Sequence, residues 1–220
     1  MTIITPEDGY IEVSGYQEEP RYYPVDGELY PSVTTVLGII NKVHLNIWRG
    51  NIGNEKANEV LRETALFGDR IHDLTAQHDI LLGSGMVIDC PPELVPYLTA
   101  YSTRVREMVS EVRQVEMVVY SKKYRVAGRL DRVLLIKNEE QDSVWDVKTG
   151  TLNGLQHAQT AAYTLAYEEM TGITIGRRGV IQVSRRTGKV RFVDHSDPHD
   201  MYGFLRLLEA YQWLSYKGEV

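Results

Sequence analysis

Two aspartates and a lysine stand out in the stretch VAGRLDRVLLIKNEEQDSVWDVKTG, residues 126–150, because many of their neighbours are apolar. Asp131, Asp146 and Lys148 occupy positions at which a core strand normally carries an apolar side chain. Charges among apolar neighbours are costly unless they are paired or bind a ligand. The three residues are therefore candidates for a site that performs chemistry. The alternative is an ordinary hairpin whose charged rim faces solvent.

The sequence predicts the pairing of the two strands that carry these charges. The polar run KNEEQD, residues 137–142, is a natural hairpin loop between two β-prone runs. With this loop, Ile136 pairs with Ser143 and Asp131 lies opposite Lys148. Since directly opposed residues share a sheet face, and side chains along a strand alternate between faces, all three charges lie on one face. A shift of one residue would separate them.

The residue types suit a metal ion that acts on a phosphodiester. Asp131 and Asp146, on adjacent strands, offer the hard oxygen ligands that Mg²⁺ and Mn²⁺ prefer. The backbone carbonyl of Val147 is placed to add an oxygen, and Lys148 can hold an attacking water or stabilise charge on a phosphate. Metal ions generate hydroxide and neutralise the leaving oxygen in such reactions. A bare Asp-x-Lys is weak evidence, and an ion pair at a strand end remains the alternative.

Two pairs of residues outside the hairpin strengthen the nuclease interpretation. Gln159 and Tyr163 in QHAQTAAY are four residues apart on a predicted helix, so they share a face and can contact DNA near the metal. The alternative is a solvated glutamine and a half-buried tyrosine. In FGDRIHDLT, Gly68 and His72 lie in a long predicted helix. A lone helical histidine is usually structural, but His72 becomes a nitrogen ligand if the fold brings it to the two aspartates.

The whole chain predicts one α/β domain over residues 1–220, built on a mixed β-sheet flanked by helices. Residues 1–114 form strands and an N-terminal helical region, and residues 115–220 form the catalytic core. The predicted strands cover parts of 10–30, then 116–123, 124–136 and 143–149, with a second hairpin over 178–195. The predicted helices are a short one from about Tyr30, a long stretch over 46–77 with possible breaks at Gly50, Gly53 and Gly68, one from Pro91-Pro92 to about Val112, one over 155–170 that stops at Gly172, and one from Ser196-Asp197-Pro198 to about Tyr216.

Composition narrows the classes of function. The chain has 220 residues, of which 43% are apolar and 25% charged, as expected of a soluble globular protein. The single cysteine, Cys90, excludes a disulfide framework, a four-cysteine zinc site and a cysteine-ligated iron–sulfur cluster within one chain. No membrane span or leader is apparent, which favours a cytosolic location. The net charge of −6 argues weakly against a general nucleic-acid coating protein.

Basic residues nevertheless form two groups that suit either phosphate binding or solvated strand ends. The two readings are about equally supported by the sequence. The groups are Lys122, Lys123, Arg125, Arg129 and Arg132, and Arg177, Arg178, Arg185, Arg186, Lys189 and Arg191.

These motifs together resemble the RecB-like branch of the PD-(D/E)xK nuclease superfamily. That branch shows a Gly-x-x-x-His helix, a Gly-x-x-Asp strand, an Asp-x-Lys strand and a Gln-x-x-x-Tyr helix in this order. YPSVTTVL and GRLDRV…WDVKTG look most like the mitochondrial genome maintenance exonuclease and its bacterial and phage relatives. The matching residues are Gly68 and His72, Gly128 and Asp131, Asp146 and Lys148, and Gln159 and Tyr163.

The resemblance implies a role for each matching residue. Asp131, Asp146 and His72 would be metal ligands, Lys148 the catalytic lysine, and Gln159 and Tyr163 supporting residues. Ser32, Thr34 and Thr35 would either meet DNA phosphates or, more readily, cap a helix. One position departs from the branch: Thr75 stands where many RecB-like proteins have a glutamate. Whether a further acid, such as Glu63 or Asp73, helps to bind a second metal is therefore open.

The leading hypothesis is a DNA exonuclease that depends on Mg²⁺ or Mn²⁺ and acts on single-stranded ends. Its substrate would pass between the N-terminal helices and the sheet, stacked on aromatics such as Trp48 or Tyr163. A flap endonuclease with the same site and a catalytically silent DNA-binding module are the alternatives. A silent module would usually have lost one of the two acids or the lysine, and all three are present.

Overall fold

The computed structural model describes residues 2–3, 20–40 and 43–220. The strands predicted between residues 10 and 19 therefore lie outside the described residues. The elements, in chain order, are β1 (Thr2–Ile3), β2 (Arg21–Val25), β3 (Glu28–Pro31), α1 (Val33–Leu37), α2 (Val43–Ile52), α3 (Asn54–Ile80), α4 (Val95–Met108), β4 (Val109–Ser121), β5 (Val126–Ile136), β6 (Asp142–Lys148), α5 (Gly154–Thr171), β7 (Arg177–Val183), β8 (Val190–Asp194) and α6 (His199–Lys217).

The central sheet has the strand order β4-β5-β6-β7-β8. The pairs β4–β5 and β5–β6 are antiparallel, β7 is parallel to β6, and β8 returns antiparallel to β7. The change to a parallel pair occurs where α5 connects β6 to β7, as a parallel connection requires a crossover. The predicted α/β fold with a mixed sheet flanked by helices is confirmed.

The hairpin that carries the three charges has a register two residues away from the predicted one. Leu134 pairs with Ser143, and the regular ladder ends at Arg132 opposite Trp145. The predicted pairing of Ile136 with Ser143 is wrong, because the ladder closest to the turn pairs Leu135 with Asp142, so the loop covers residues 136–141 rather than 137–142. A shift of two residues preserves the alternation of faces. The charges still gather, with Asp131 extrapolated to lie beside Asp146 rather than Lys148.

Helices cover both faces of the sheet. On one face α1, α5 and α6 pack through Val36, Ala162 and Phe204 onto Val133 and Val144 of the sheet. On the other face α3 and α4 bury Ile71, Leu74, Tyr101 and Val105 against Leu134, Trp145 and Ile181. Because apolar area removed from water is the main stabilising term, these two layers fix where α3 and α5 lie relative to β5 and β6.

The long predicted helical stretch divides once. Gly53, with φ of 84°, separates α2 from α3, and α3 then continues unbroken to Ile80. Gly50 and Gly68 lie inside helices rather than at breaks. A Cβ at Gly68 would lie 3.4 Å from the hydroxyl of Thr149, an ordinary contact distance. The helix thus passes close to the end of β6 one turn before His72.

Helix α4 ends earlier than predicted. It stops at Met108, and β4 begins at Val109. The predicted helix end near Val112 is wrong because β-branched valines at 109, 112 and 115 favour extended backbone. The boundary drawn between residues 114 and 115 consequently falls inside β4. Among the described helices, none is both long and apolar enough to cross a membrane.

Helix α5, which carries Gln159 and Tyr163, has well-defined ends. The Asn153 side chain accepts a hydrogen bond from the Leu155 amide at 2.9 Å, and the Gln156 side chain accepts from the Asn153 amide at 2.6 Å. This capping box satisfies donors that a helix start leaves unpaired. Gly172 closes the helix at φ 71°, which confirms the predicted stop.

Candidate metal centre and active site

Residues from four elements converge at the end of the β5–β6 ladder. His72 comes from α3, Glu116 from β4 and Asp131 from β5. Each offers one ligand atom, and the three atoms lie within 4.8 Å of one another. Among the described residues, this is the one group of three or more such side chains close enough to share a metal ion. Asp146 and Lys148 of β6 complete what we call the metal cluster: His72, Glu116, Asp131, Asp146 and Lys148.

The side chain of Asp131 hydrogen-bonds the backbone of β6 just past the end of the backbone ladder. Its Oδ2 accepts a hydrogen bond of 2.6 Å from the amide of Val147, just beyond the last regular pair of β5 and β6. The side chain is only 9% exposed. The carboxylate is therefore locked in position, with lone pairs left for a further ligand.

His72 lies against both strands of the hairpin. Its Nε2 is 2.6 Å from the carbonyl oxygen of Val147 and 3.6 Å from Oδ2 of Asp131. Since a carbonyl can only accept, Nε2 donates in this contact. Burial alone would lower the pKa of His72, but the negative charges of Asp131 and Glu116 outweigh it and raise that pKa to about 9. The structure thus brings His72 next to Asp131 and to the carbonyl of Val147, two of the groups predicted to bind the metal.

Asp146 is the most deeply buried charge of the site. Its side chain is 1% exposed, and Oδ2 lies 2.7 Å from Nζ of Lys148. Its Oδ1 is buried without a hydrogen-bond partner among the described residues. Burial raises the pKa of Asp146 to about 6, against the opposing charge of Lys148 and with a further rise from Asp131. An underused buried carboxylate oxygen is the kind of group that a cation satisfies.

Glu116 was missed in the sequence analysis. Its backbone has φ of 52°, a local distortion within the continuous strand β4, and its Oε1 lies 4.0 Å from Nδ1 of His72. Burial would raise the pKa of Glu116, but its interactions with His72 and with the charge of Arg132 lower it. The signal in the sequence was a lone acid inside the apolar run VEMVVY. The acids proposed instead, Glu63 and Asp73, are exposed on α3 and lie outside the cluster.

The donor set fits Mg²⁺ or Mn²⁺. The residues offer carboxylate oxygens, a backbone carbonyl and one imidazole nitrogen, and Mn²⁺ accepts both kinds of donor. The unpartnered Oδ1 of Asp146 adds an oxygen that the protein itself leaves unsatisfied. The arrangement can therefore hold a divalent cation beside a lysine, a combination suited to the hydrolysis of a phosphodiester.

Gln159 and Tyr163 lie behind the metal cluster rather than on the surface. Both are buried, and the Gln159 amide donates to the Tyr163 hydroxyl at 3.1 Å. The Tyr163 ring covers Gly128, where a Cβ would lie 2.6 Å from the ring. Burial, with the charge of Asp146, raises the pKa of Tyr163 well above its usual value. At 4% exposure the ring cannot stack on a DNA base in this conformation.

The predicted phosphate contacts divide into buried and accessible groups. Ser32 is 3% exposed, and its hydroxyl accepts from the Thr35 amide at 2.9 Å, which favours the helix-capping alternative. Thr34 is partly exposed and accepts a hydrogen bond of 2.9 Å from the Arg21 guanidinium. Arg129 is exposed on β5, two residues from Asp131, while Trp48 is half-buried on α2.

Comparison with known proteins agrees with this geometry. A family model described as the PD-(D/E)XK nuclease superfamily matches residues 50–209, a range that contains the whole metal cluster. The chain belongs to the PD-(D/E)XK nuclease superfamily. A comparison with curated proteins gives no match.

Two solved structures resemble this PD-(D/E)XK nuclease at low identity. The crystal structure of SSO0001 has a TM-score of 0.42 and 14% identity, covering 83% of this chain and 75% of its own. A protein of Eubacterium rectale named "Putative exonuclease" has a TM-score of 0.34 and 11% identity, covering 62% of this chain and 72% of its own.

Proposed function

We propose that this PD-(D/E)XK nuclease is a divalent-metal-dependent exonuclease that hydrolyses phosphodiester bonds at single-stranded DNA ends. The observation that carries the proposal is the convergence of His72, Glu116 and Asp131 within 4.8 Å, beside the buried Asp146–Lys148 pair. Such a set of donors and one lysine is more than an ordinary strand-end ion pair requires. The order of the four motifs along the chain supports the RecB-like branch.

The metal would be held by side chains and one backbone group that the hairpin brings together. Asp131, Asp146, His72 and the carbonyl of Val147 are the ligands we assign. When bound, Mg²⁺ or Mn²⁺ supplies an activated water and neutralises charge on the phosphate. The hydrogen bond from the Val147 amide keeps the Asp131 carboxylate turned towards the site.

Lys148 supplies the positive charge that the chain itself contributes. Its Nζ lies 2.7 Å from Asp146, at the partly exposed edge of the site, with 28% of the side chain accessible. From there the ammonium can stabilise charge that develops on a phosphate oxygen or hold the attacking water. Gln159 and Tyr163 support the active site by packing α5 against β5 at Gly128.

The DNA strand would approach along exposed basic and polar groups near the cluster. Arg129 and Thr34 are the candidates for phosphate contacts, and Trp48 on α2 is a candidate for base stacking. Gln159 and Tyr163 would contact DNA only after a local movement, because both are buried. We therefore assign Gln159 and Tyr163 mainly to supporting the active site, and only secondarily to contacting the substrate.

The test is a cleavage assay on defined DNA ends. Single-stranded linear, single-stranded circular, double-stranded and flap substrates, labelled at the 5′ or the 3′ end, are incubated with Mg²⁺ or Mn²⁺. We expect linear single strands to be degraded and circles to survive. Lys148→Ala and Asp146→Asn should abolish cleavage, while Lys217→Ala, far along the chain on α6, should cleave as wild type. Cutting of circles or flaps would replace the exonuclease by an endonuclease, and a folded wild type that cuts nothing would overturn the proposal.

A further inference from the structure

Arg132 is a fully buried cation next to the metal cluster. Its side chain is 0% exposed, although arginine rarely lies inside a protein. The guanidinium donates to Oδ2 of Asp79 at 2.6 Å, to Oε1 of Glu116 at 3.0 Å, to the carbonyl of Asp131 at 2.7 Å and to the hydroxyl of Thr75 at 3.1 Å. Every nitrogen of the planar group is thus used, and the four partners come from three different elements.

Asp79, the counter-charge of this arginine, has further hydrogen-bond partners of its own. Oδ2 of Asp79 also accepts from the Tyr101 hydroxyl at 2.6 Å, and its Oδ1 lies 2.8 Å from Nδ1 of His78. We call Thr75, His78, Asp79, Tyr101 and Arg132 the support cluster. Replacing a buried ion pair by apolar residues of similar volume often costs no stability, so stability alone is a poor reason to bury this one.

The contacts of Arg132 lead to the predicted metal ligands. One nitrogen, Nη1, bridges the Glu116 carboxylate and the backbone carbonyl of Asp131. Another reaches Thr75, whose hydroxyl donates to the carbonyl of His72 at 3.0 Å. A rigid planar fork of this kind sets the relative positions of all the groups it joins. Thr75, which departs from the glutamate of RecB-like proteins, is thereby accounted for as a partner of Arg132.

Glu116 needs such support because its backbone is unfavourable. A glutamate at φ 52° in the middle of a strand adopts a left-handed conformation that side-chain-bearing residues seldom take. Neighbouring pairs Val115–Arg132 and Met117–Leu130 remain in the ladder, so the distortion is confined to this residue. It turns the carboxylate towards His72 and Arg132, and such strain persists only where the surroundings hold it in place.

We propose that Glu116 is a further ligand of the metal centre and that Arg132 is the positioning residue that holds Glu116 and Asp131 in their ligating arrangement. This inference rests on the proposed metal-dependent function. The carboxylate of Glu116 can accept from Arg132 and still offer a lone pair to a cation. Asp79 balances the charge of the guanidinium and holds it in place.

The experiment measures binding of Mn²⁺ to EDTA-treated, dialysed protein by isothermal titration calorimetry, without DNA. Glu116→Gln retains an acceptor for Arg132 but removes the ligand charge, and we expect the affinity to fall about 10-fold or more. Arg132→Lys keeps the charge but loses the fork, and we expect a loss of about 10- to 100-fold. Glu111→Gln, an exposed glutamate on the same strand, is the matched control and should bind as wild type.

Folding is monitored by circular dichroism, and affinities are compared at a temperature at which each variant is folded. If Arg132→Lys does not fold, Glu116→Gln decides alone, because Glu116 is 31% exposed and its loss leaves Arg132 paired with Asp79. A purely structural role would lower the melting temperature and leave the affinity for Mn²⁺ unchanged. Wild-type affinity in folded Glu116→Gln, from a wild type that binds Mn²⁺ and cleaves DNA, overturns this inference alone. A wild type that binds no Mn²⁺ overturns the proposed function with it.

Discussion

Asp79 in the support cluster and Asp146 in the metal cluster have side chains that are each only 1% exposed, but their surroundings differ. Both oxygens of Asp79 are satisfied, by Arg132, Tyr101 and His78. Asp146 has Lys148 near one oxygen and no hydrogen-bond partner for the other among the described residues. A buried charge that the protein satisfies completely serves the fold, whereas one that it leaves short of partners is available to a ligand.

The largest expected effect comes from removing the carboxylate that both strands hold. Asp131→Asn keeps the size of the side chain but removes the charge next to His72. We expect loss of Mn²⁺ binding and a fall in DNA cleavage on the order of 10³-fold or more. Calorimetry and a single-turnover cleavage assay measure the two losses. Wild-type cleavage by folded Asp131→Asn would remove this residue from the metal cluster.

Asp79→Asn should destabilise the protein strongly. The substitution leaves the buried Arg132 without its main counter-charge, and breaking a buried ion pair costs about 3–5 kcal/mol. The free energy of unfolding in urea measures this loss. Asp73→Asn, on the exposed face of the same helix, is the matched control and should change it little. Equal stability of the two variants would contradict the structural role of the support cluster.

At alkaline pH and without metal, Asp146→Asn should change the free energy of unfolding in the opposite direction to Asp79→Asn. The pKa of Asp146 is raised from 3.8 to about 6 in the folded protein. Above pH 6 the fold must hold this buried carboxylate in its ionised form, which lowers the stability. Below about pH 3.8 the carboxylate is protonated in both states, and this cost is absent. In EDTA at pH 8, Asp146→Asn should therefore raise the free energy of unfolding by about 1–3 kcal/mol while abolishing cleavage. Urea unfolding at pH 8 and pH 4 checks this, and a loss of stability at pH 8 would show that Asp146 is structural like Asp79.

Gly128→Ala tests the close packing behind the metal cluster. The new methyl group would lie 2.6 Å from the Tyr163 ring, so the ring or β5 must move. We expect a cost of about 1–3 kcal/mol, typical of overpacking, together with slower cleavage. Gly203→Ala, in α6 where a Cβ meets nothing within 4 Å, should be neutral or stabilising. A melting temperature unchanged by Gly128→Ala would show that the ring is not confined.

The last expected effect is a pH dependence carried by His72. Its folded pKa of about 9 lies above the ordinary 6.5, so in EDTA its contribution to stability is complete below pH 6.5 and is lost as pH rises through 9. His72→Gln should flatten the decline of the melting temperature over that window, and His199→Gln, an exposed histidine, should not. Since a ligating imidazole must be deprotonated, Mn²⁺ affinity should rise over the same window. Parallel pH profiles for the two variants would contradict this assignment.

The sequence predicted the metal cluster better than the support cluster, for a physical reason. Asp131, Asp146 and Lys148 share a face through the period of two, and this survives an error of two residues in the register. His72 and Tyr163 follow helical spacing, which is likewise local. The orientation of Glu116 depends on a local distortion of β4, which no periodic pattern in the sequence indicates.

The partners of Arg132 depend on contacts between distant parts of the chain. Asp79 is 53 residues away in sequence and Thr75 is 57 away. Arg132 was expected among solvated or phosphate-binding residues because it follows Arg129 in a basic run, but it is fully buried. Tertiary packing, which the sequence pattern does not report, decided its role.

The most direct test of the central claim compares two properties of Lys148→Ala. The substitution removes the catalytic charge but none of the assigned ligands, so Mn²⁺ should bind with wild-type affinity. Cleavage of an end-labelled linear single strand in Mn²⁺ should fall on the order of 10³-fold, to the level of the wild type in EDTA. Cleavage by the wild type in EDTA, or undiminished cleavage by a folded Lys148→Ala that binds Mn²⁺, would contradict the account.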